Sequence, residues 1–170
     1  MSAKNDFILA KELLYQPSGF NCSEPVLEAE SAEYGACDFK LNDFNIKYRI
    51  AKITPTKTGQ FVTLWKRNQQ GIIEPFEMND KVDFFIISTR KDNRFGQFIF
   101  PKALLYEKGV ISDERKEGKR AIRVYPPWDE ANSKQAQKTQ QWQLKYFLEI
   151  PEGGLSNLTL AKQLLGNKLG

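Results

Sequence analysis

Residues 82–88 read Val-Asp-Phe-Phe-Ile-Ile-Ser. The run is apolar, aromatic and β-branched, and it does not alternate with polar residues. A strand of this kind is covered on both faces, so it predicts the centre of a sheet with a layer of structure on each side. Phe95 to Phe100 predicts the next strand, and Pro101 opens a short helix, Lys102 to Lys108, closed by Gly109. Upstream, residues 44–53 alternate: Phe44, Ile46, Tyr48 and Ile50 on one face, Asn45, Lys47, Arg49 and Ala51 on the other. That is the period of a half-buried strand. Ala36 to Leu41 precedes it across Asn42-Asp43, a turn pair, and the two runs predict a hairpin.

Further out, Thr54 to Gly59 predicts a loop, Gln60 to Lys66 a strand, and Asn68 to Gly71 a turn. Arg120 to Tyr125 predicts a last strand, stopped by Pro126-Pro127. Helices are predicted at Phe7 to Leu14 with Asp6 as cap, from Glu24-Pro25 to Tyr34 with Gly35 closing, at Asp129 to Leu148, and at Leu155 to Leu165. Strands and helices mixed in this order give an α/β (α+β) fold, one domain with a central mixed sheet flanked by helices. At 170 residues the chain fits one domain. Its parts are expected as an N-terminal helix and linker (1–24), the α/β body (25–150) and a C-terminal leucine-rich helix (151–170).

There is no histidine and there are two cysteines, Cys22 and Cys37. This excludes Ser-His-Asp and Cys-His catalysis, histidine-ligated zinc and four-thiolate clusters. Two cysteines predict reduced thiols in a cytoplasmic protein. No apolar run of about 18 residues is present, so no membrane span is expected, and the polar start of the chain shows no signal peptide.

The charge is unevenly spread. Residues 1–34 hold six acids and two bases, whereas residues 45–67 hold six bases (Lys47, Arg49, Lys52, Lys57, Lys66 and Arg67) and no acid. Such a stretch suits a surface that meets phosphate. The loop Lys52-Ile53-Thr54-Pro55-Thr56-Lys57-Thr58-Gly59 is dense in hydroxyl and ammonium donors. It reads as a phosphate contact or as a polar hairpin turn. Arg120, Arg123 and Tyr125 read as a phosphate clamp beside an aromatic or as an edge strand. The expected nucleic-acid contacts are therefore Lys52, Thr54, Thr56, Lys57, Lys66, Arg67, Arg120 and Arg123.

Several runs resemble the MepB-like family: Tyr34-Gly35-Ala36, Arg49-x-Ala51-Lys52-Ile53-Thr54-Pro55-Thr56-Lys57-Thr58-Gly59-Gln60-Phe61, Phe98-x-Phe100-Pro101-Lys102, Arg120 to Trp128, and Gln140-Gln141-Trp142-Gln143. The resemblance spans about Pro25 to Leu148 and implies a bacterial protein. The order of elements also resembles the restriction-endonuclease-like core that carries a P-D…(D/E)-x-K signature. That core holds Mg²⁺ on a helix Glu, a strand Asp and a further strand's carboxylate, beside a lysine. The resemblance implies Glu28, Glu30 or Glu33 as the helix acid, Asp38 as the strand acid and Lys52 as the lysine. The second acid then falls at position 50, which is Ile50.

The leading expectation is a nucleic-acid-binding protein, for DNA or RNA, with a nuclease-like fold and a degenerate active site that holds no metal or cofactor. A Mg²⁺-dependent nuclease using Asp38, Lys52 and a helix glutamate is the second, and a regulatory protein-interaction module the third. Oligomeric state is left open.

Overall fold

The structure is a computed structural model and describes residues 3–28, 36–151, 153 and 156–166. A six-stranded sheet forms its centre. The strands are β1 (Val26–Leu27), β2 (Cys37–Leu41), β3 (Phe44–Ile50), β8 (Phe84–Lys91), β9 (Arg94–Pro101) and β11 (Phe147–Glu149), in that spatial order. β3 and β8 are parallel and the other neighbours antiparallel. The chain between β3 and β8 builds two small sheets. β4 (Lys52–Ile53) pairs with β5 (Gln60–Thr63), and β6 (Trp65–Arg67) pairs with β7 (Ile73–Pro75). β10 (Ala121–Val124) returns to pair with β5 and completes a three-stranded sheet.

The central strand behaves as its composition requires. Phe84 to Thr89 are all buried. Phe84 and Ile86 face one core with Phe39, Ile46, Tyr48 and Ile99, beneath Phe7, Ala10 and Leu14 of the N-terminal helical segment. That segment is α1 (Ala3–Ala10) running into a π-helical turn at Lys11–Tyr15. Ala161 and Leu165 of α4 (Leu158–Gly166) are buried in the same cluster, so both ends of the chain cover one face of the sheet. Phe85 and Ile87 face the other core, with Phe98, Phe100, Val62, Leu64 and Val124. There α2 (Lys102–Glu107) and α3 (Lys134–Gln143) form the cover, through Leu105 and Trp142. Each such side chain contributes about 1.5–3 kcal/mol when fully buried. The mixed sheet flanked by helices is the architecture the sequence predicts.

The first core also contains a polar chain. Tyr15 donates its hydroxyl to Gln97 Oε1 at 2.6 Å, Gln97 Nε2 donates to Ser88 Oγ at 2.9 Å, and the hydroxyls of Tyr48 and Ser88 lie 2.7 Å apart.

Four local expectations are corrected. Asp6 does not cap a helix. It lies inside α1, buried, and binds Arg90. Pro25 does not start a helix, because Val26 and Leu27 extend the sheet edge by pairing with Asp38 and Cys37. The remainder of that expected helix, with Glu30, Glu33 and Gly35, lies outside the described residues. The predicted helix from Asp129 to Leu148 is shorter. Ser133 caps it, its side chain accepting from the Ala136 N–H, and residues from Phe147 leave it to join β9. The predicted strand Gln60 to Lys66 divides between two sheets.

Candidate functional site

A two-residue turn sets the site. Leu41 pairs with Phe44 across Asn42-Asp43, and Asn42 takes a φ of 53°, a left-handed conformation that asparagine tolerates. Counting back from that turn places Asp38 opposite Lys47. Directly opposed residues share a face, and here opposite charges meet. The Lys47 ammonium lies 3.0 Å from Asp38 Oδ2, 2.9 Å from Oδ1, and 3.7 Å from Glu28 Oε2. Arg49, two residues further on the same face, holds Glu28 with both prongs, at 2.5 and 3.1 Å, and also donates to the Tyr48 carbonyl. Phe76 lies below both cations, its ring centre 5.6 Å from Lys47 Nζ and 5.9 Å from the Arg49 guanidinium carbon.

This cluster borders a cavity of about 500 Å³, which Asp38, Asn45, Lys47, Lys66 and Asp80 help to line. Asn45 precedes Lys47 by two positions, on the same strand face. Its backbone N–H donates to Asp83 Oδ2 at 2.7 Å. Asp38, Lys47 and Glu28 are thus held together by ion pairs, and Asn45 lines the same cavity two residues before Lys47, where a carboxylate-x-Lys pattern would carry an acid.

The structure moves two residues of the expected site. Lys52 is not the lysine beside Asp38. It sits on β4 in another sheet, five residues past Lys47, which is Asp38's partner. Ile50 is not at the second acid's place either, because it packs into the core with Ile46 and Tyr48 on the opposite face from Asp38. Glu28 is present but committed to Arg49. Among the described residues no three carboxylates or thiols gather to hold a metal ion.

The expected phosphate contacts separate into groups. Arg123 Nη1 donates to the carbonyls of Thr58 and Gly59, and Nη2 to Thr54 Oγ1 at 2.9 Å. This arginine fixes the 54–59 loop, so its donors are spent on the protein itself. The loop presents Thr56 and Lys57, both exposed, next to the exposed Lys52. Lys66 is a different case. Asp80 lies 2.7 Å from its ammonium, Glu74 3.7 Å and Glu77 3.9 Å, so carboxylates from the far side of the β6–β7 turn neutralise it. Arg67 donates to the Gly71 carbonyl, and Arg120 pairs with Glu117. Gln140 and Gln143, on the late helix, point inward. Gln143 accepts from the Tyr125 N–H and donates to the Arg123 carbonyl, docking α3 on β10.

Sequence reasoning missed Lys47, Asn45 and the neutralisation of Lys66. The first two had a signal, since a two-residue turn at 42–43 fixes the pairing by arithmetic. The third had none, because its partners come from residues 74–80.

The cysteines are free thiols, and burial pushes Cys37 up to about 12 and Cys22 up to about 11. Neither is a thiolate nucleophile at neutral pH.

Fold and site define an α/β protein with a carboxylate–lysine cluster at the start of a mixed sheet. The chain matches the MepB-like family over residues 28–149, and it belongs to that family. A crystal structure of MepB is similar over 88% of this chain and 98% of its own, at 33% identity and a TM-score of 0.74. A bacterial homing endonuclease aligns over 84% of each chain at 14% identity and a TM-score of 0.40. No curated protein matches the chain. Among the described residues no helix is long and apolar enough to cross a membrane.

Proposed function

We propose that this protein binds nucleic acid by its phosphate backbone, and that its nuclease-like centre is degenerate. The observation that carries the binding is the exposed, hydroxyl-rich stretch of β4, the 54–59 loop and β5, whose own residues include no carboxylate, with Asp129 and Glu130 lining only the cavity on one side of the loop. Residues 51–63 hold Lys52 and Lys57, four threonines and no carboxylate, with the loop pinned open by Arg123. Such a surface meets phosphates with charge, hydroxyls and backbone N–H groups together. The degeneracy rests on Asn45. An amide offers one neutral oxygen where Mg²⁺ prefers an anionic one. With Glu28 held by Arg49 and Asp38 by Lys47, the carboxylates that remain are already paired. The same reading places the protein in the cytoplasm, where nucleic acid is accessible and Cys22 and Cys37 stay reduced.

The test is a salt titration of binding to short DNA and RNA. Each phosphate neutralised on duplex DNA contributes a slope of about −0.9 in log affinity against log salt, so four contacts give a slope of about −3.6. Absence of binding at low salt overturns the reading. Mg²⁺- or Mn²⁺-dependent cleavage that Asp38→Asn abolishes favours an active nuclease instead.

A further inference from the structure

The edge of β10 and one face of α3 enclose a groove of about 420 Å³, a size that holds a small ligand. Its lining includes Lys108, Lys119 and Arg123, and it contains no carboxylate. Three other cavities of comparable size each carry at least two acids. In a chain with 21 acids, a concave surface without one is a distinct electrostatic feature.

The rings in the groove are as informative as the charges. Trp142 is half-buried, packed on Phe100 at 5.5 Å between ring centres, and the Lys108 ammonium lies 5.1 Å from the Trp142 ring centre. Lys108 also lies 3.8 Å from Glu107, whose side chain is 72% exposed, a pairing that solvent screens. Lys119 makes no ion pair among the described residues. Tyr125, from the β10 side, lines the groove with Trp142. The walls are rigid because Gln143, 1% exposed, bonds the backbone of both Arg123 and Tyr125.

We infer that this groove takes an unpaired nucleotide of a single-stranded nucleic acid, its base against Trp142 or Tyr125 and its phosphates toward Lys108 and Lys119. Cations beside aromatic rings on one acid-free surface are the features that single strands require. Every base offers a ring face for stacking, and the charges follow the backbone. A paired base in a duplex is already stacked and cannot enter a groove of this size. The inference rests on the nucleic-acid reading above and gives it a strand preference and a second contact surface that adjoins the 54–59 loop through Arg123 and Tyr125.

The test compares oligothymidylate with a duplex of equal length, by fluorescence anisotropy, on the full chain. The groove variant is Lys119→Glu with Gln135→Glu. The control, Lys134→Glu with Gln141→Glu, makes the same charge change on exposed positions of α3 turned away from the groove. The groove variant is expected to lose at least tenfold affinity for oligothymidylate, and the control less than threefold. Intrinsic melting of both variants shows that they are folded. Wild-type binding to oligothymidylate that both variants reduce equally, or that neither reduces, overturns the groove and leaves the general reading standing. Binding to duplex alone does the same. Equal competition by an oligoglutamate peptide of matched charge overturns the nucleotide assignment. No binding to either nucleic acid overturns both.

Discussion

Arg90 and Asp6, 84 residues apart in the chain, form a two-pronged ion pair, with Nη2 2.7 Å and Nε 3.1 Å from the same carboxylate oxygen. The Asp6 side chain is 8% exposed and that of Arg90 23%, so the pair joins the first helix to the central hairpin with its carboxylate buried and its guanidinium reaching water. Removing Asp6 leaves the Arg90 charge partly desolvated. Asp6→Ala is expected to lower stability by about 2 kcal/mol, below the range for fully buried pairs because the Arg90 guanidinium reaches water. Urea unfolding measures it, and a loss below about 1 kcal/mol would show that Arg90 finds water instead.

The placement of Asn45 separates two variants that the sequence alone confuses. Asn45→Asp adds a carboxylate to the cavity wall that Asp38 also lines and is expected to raise Mn²⁺ affinity in calorimetric titration. Ile50→Asp puts a carboxylate at a half-buried position packed against the core and is expected to lower stability by about 1–3 kcal/mol with no gain in metal binding. The reverse ranking would show that position 50 belongs to the site after all.

Lysines of the basic stretch are expected to differ in their effect on binding. Lys52→Ala with Lys57→Ala weakens binding across all sequences and hardly moves the melting temperature, because exposed lysines carry little stability. Lys66→Ala leaves nucleic-acid affinity nearly unchanged, because three carboxylates already answer its charge. Gel-shift titrations at one salt concentration distinguish them.

The two thiols give stability a pH dependence on the alkaline side. Burial raises Cys37 from its ordinary 9.0 to about 12 and Cys22 from 9.0 to about 11. The folded state therefore holds protons that the unfolded chain releases above pH 9. The thiol contribution is full below pH 9, declines as pH rises from there, and is lost as pH passes about 11 for Cys22 and about 12 for Cys37. Equilibrium unfolding from pH 8 to 11 reads the decline, and Cys37→Ser is expected to flatten it.

Gly59 occupies the end of the pinned loop at a φ of 85°, and a Cβ there would lie 2.7 Å from the Tyr125 ring. Gly59→Ala is expected to destabilise by at least about 1 kcal/mol through left-handed strain alone. It also displaces Tyr125, so thermal melting and oligothymidylate binding should fall together.

What could be read in advance followed the range of the forces involved. Alternation at 44–53 and the apolar run at 82–88 are local patterns, and each formed a strand of the central sheet, although the first stops at Ile50 with residues 52–53 passing to another sheet and the second runs from Phe84 to Lys91. Val26-Leu27 and Phe147 went astray for one reason. Each is decided by a partner distant in sequence, β2 in the first case and the strand carrying Gly96 in the second, where a Cβ would meet the Phe147 ring at 2.3 Å. The site shows the same division. Alternation alone puts Ile50 on the face opposite Lys47, and turn arithmetic alone pairs Lys47 with Asp38. The acids around Lys66, and the inward turn of Gln140 and Gln143, depend on loops whose paths no periodicity reveals.

The hydroxyl and amide chain Tyr15–Gln97–Ser88–Tyr48 acts as an alignment key. Hydrophobic strands such as β8 and β9 are chemically repetitive, and one greasy neighbour substitutes readily for another. A slip of one residue between them would turn Ser88 or Gln97 to the other face, break the link between the two and leave the tyrosine hydroxyl bonded to the flipped residue without its partner. The penalty falls on misaligned states while the correct state is fully satisfied. Because Tyr48 lies on β3 beside Lys47, the same key that seats β8 against β9 also seats the strand that carries the candidate lysine.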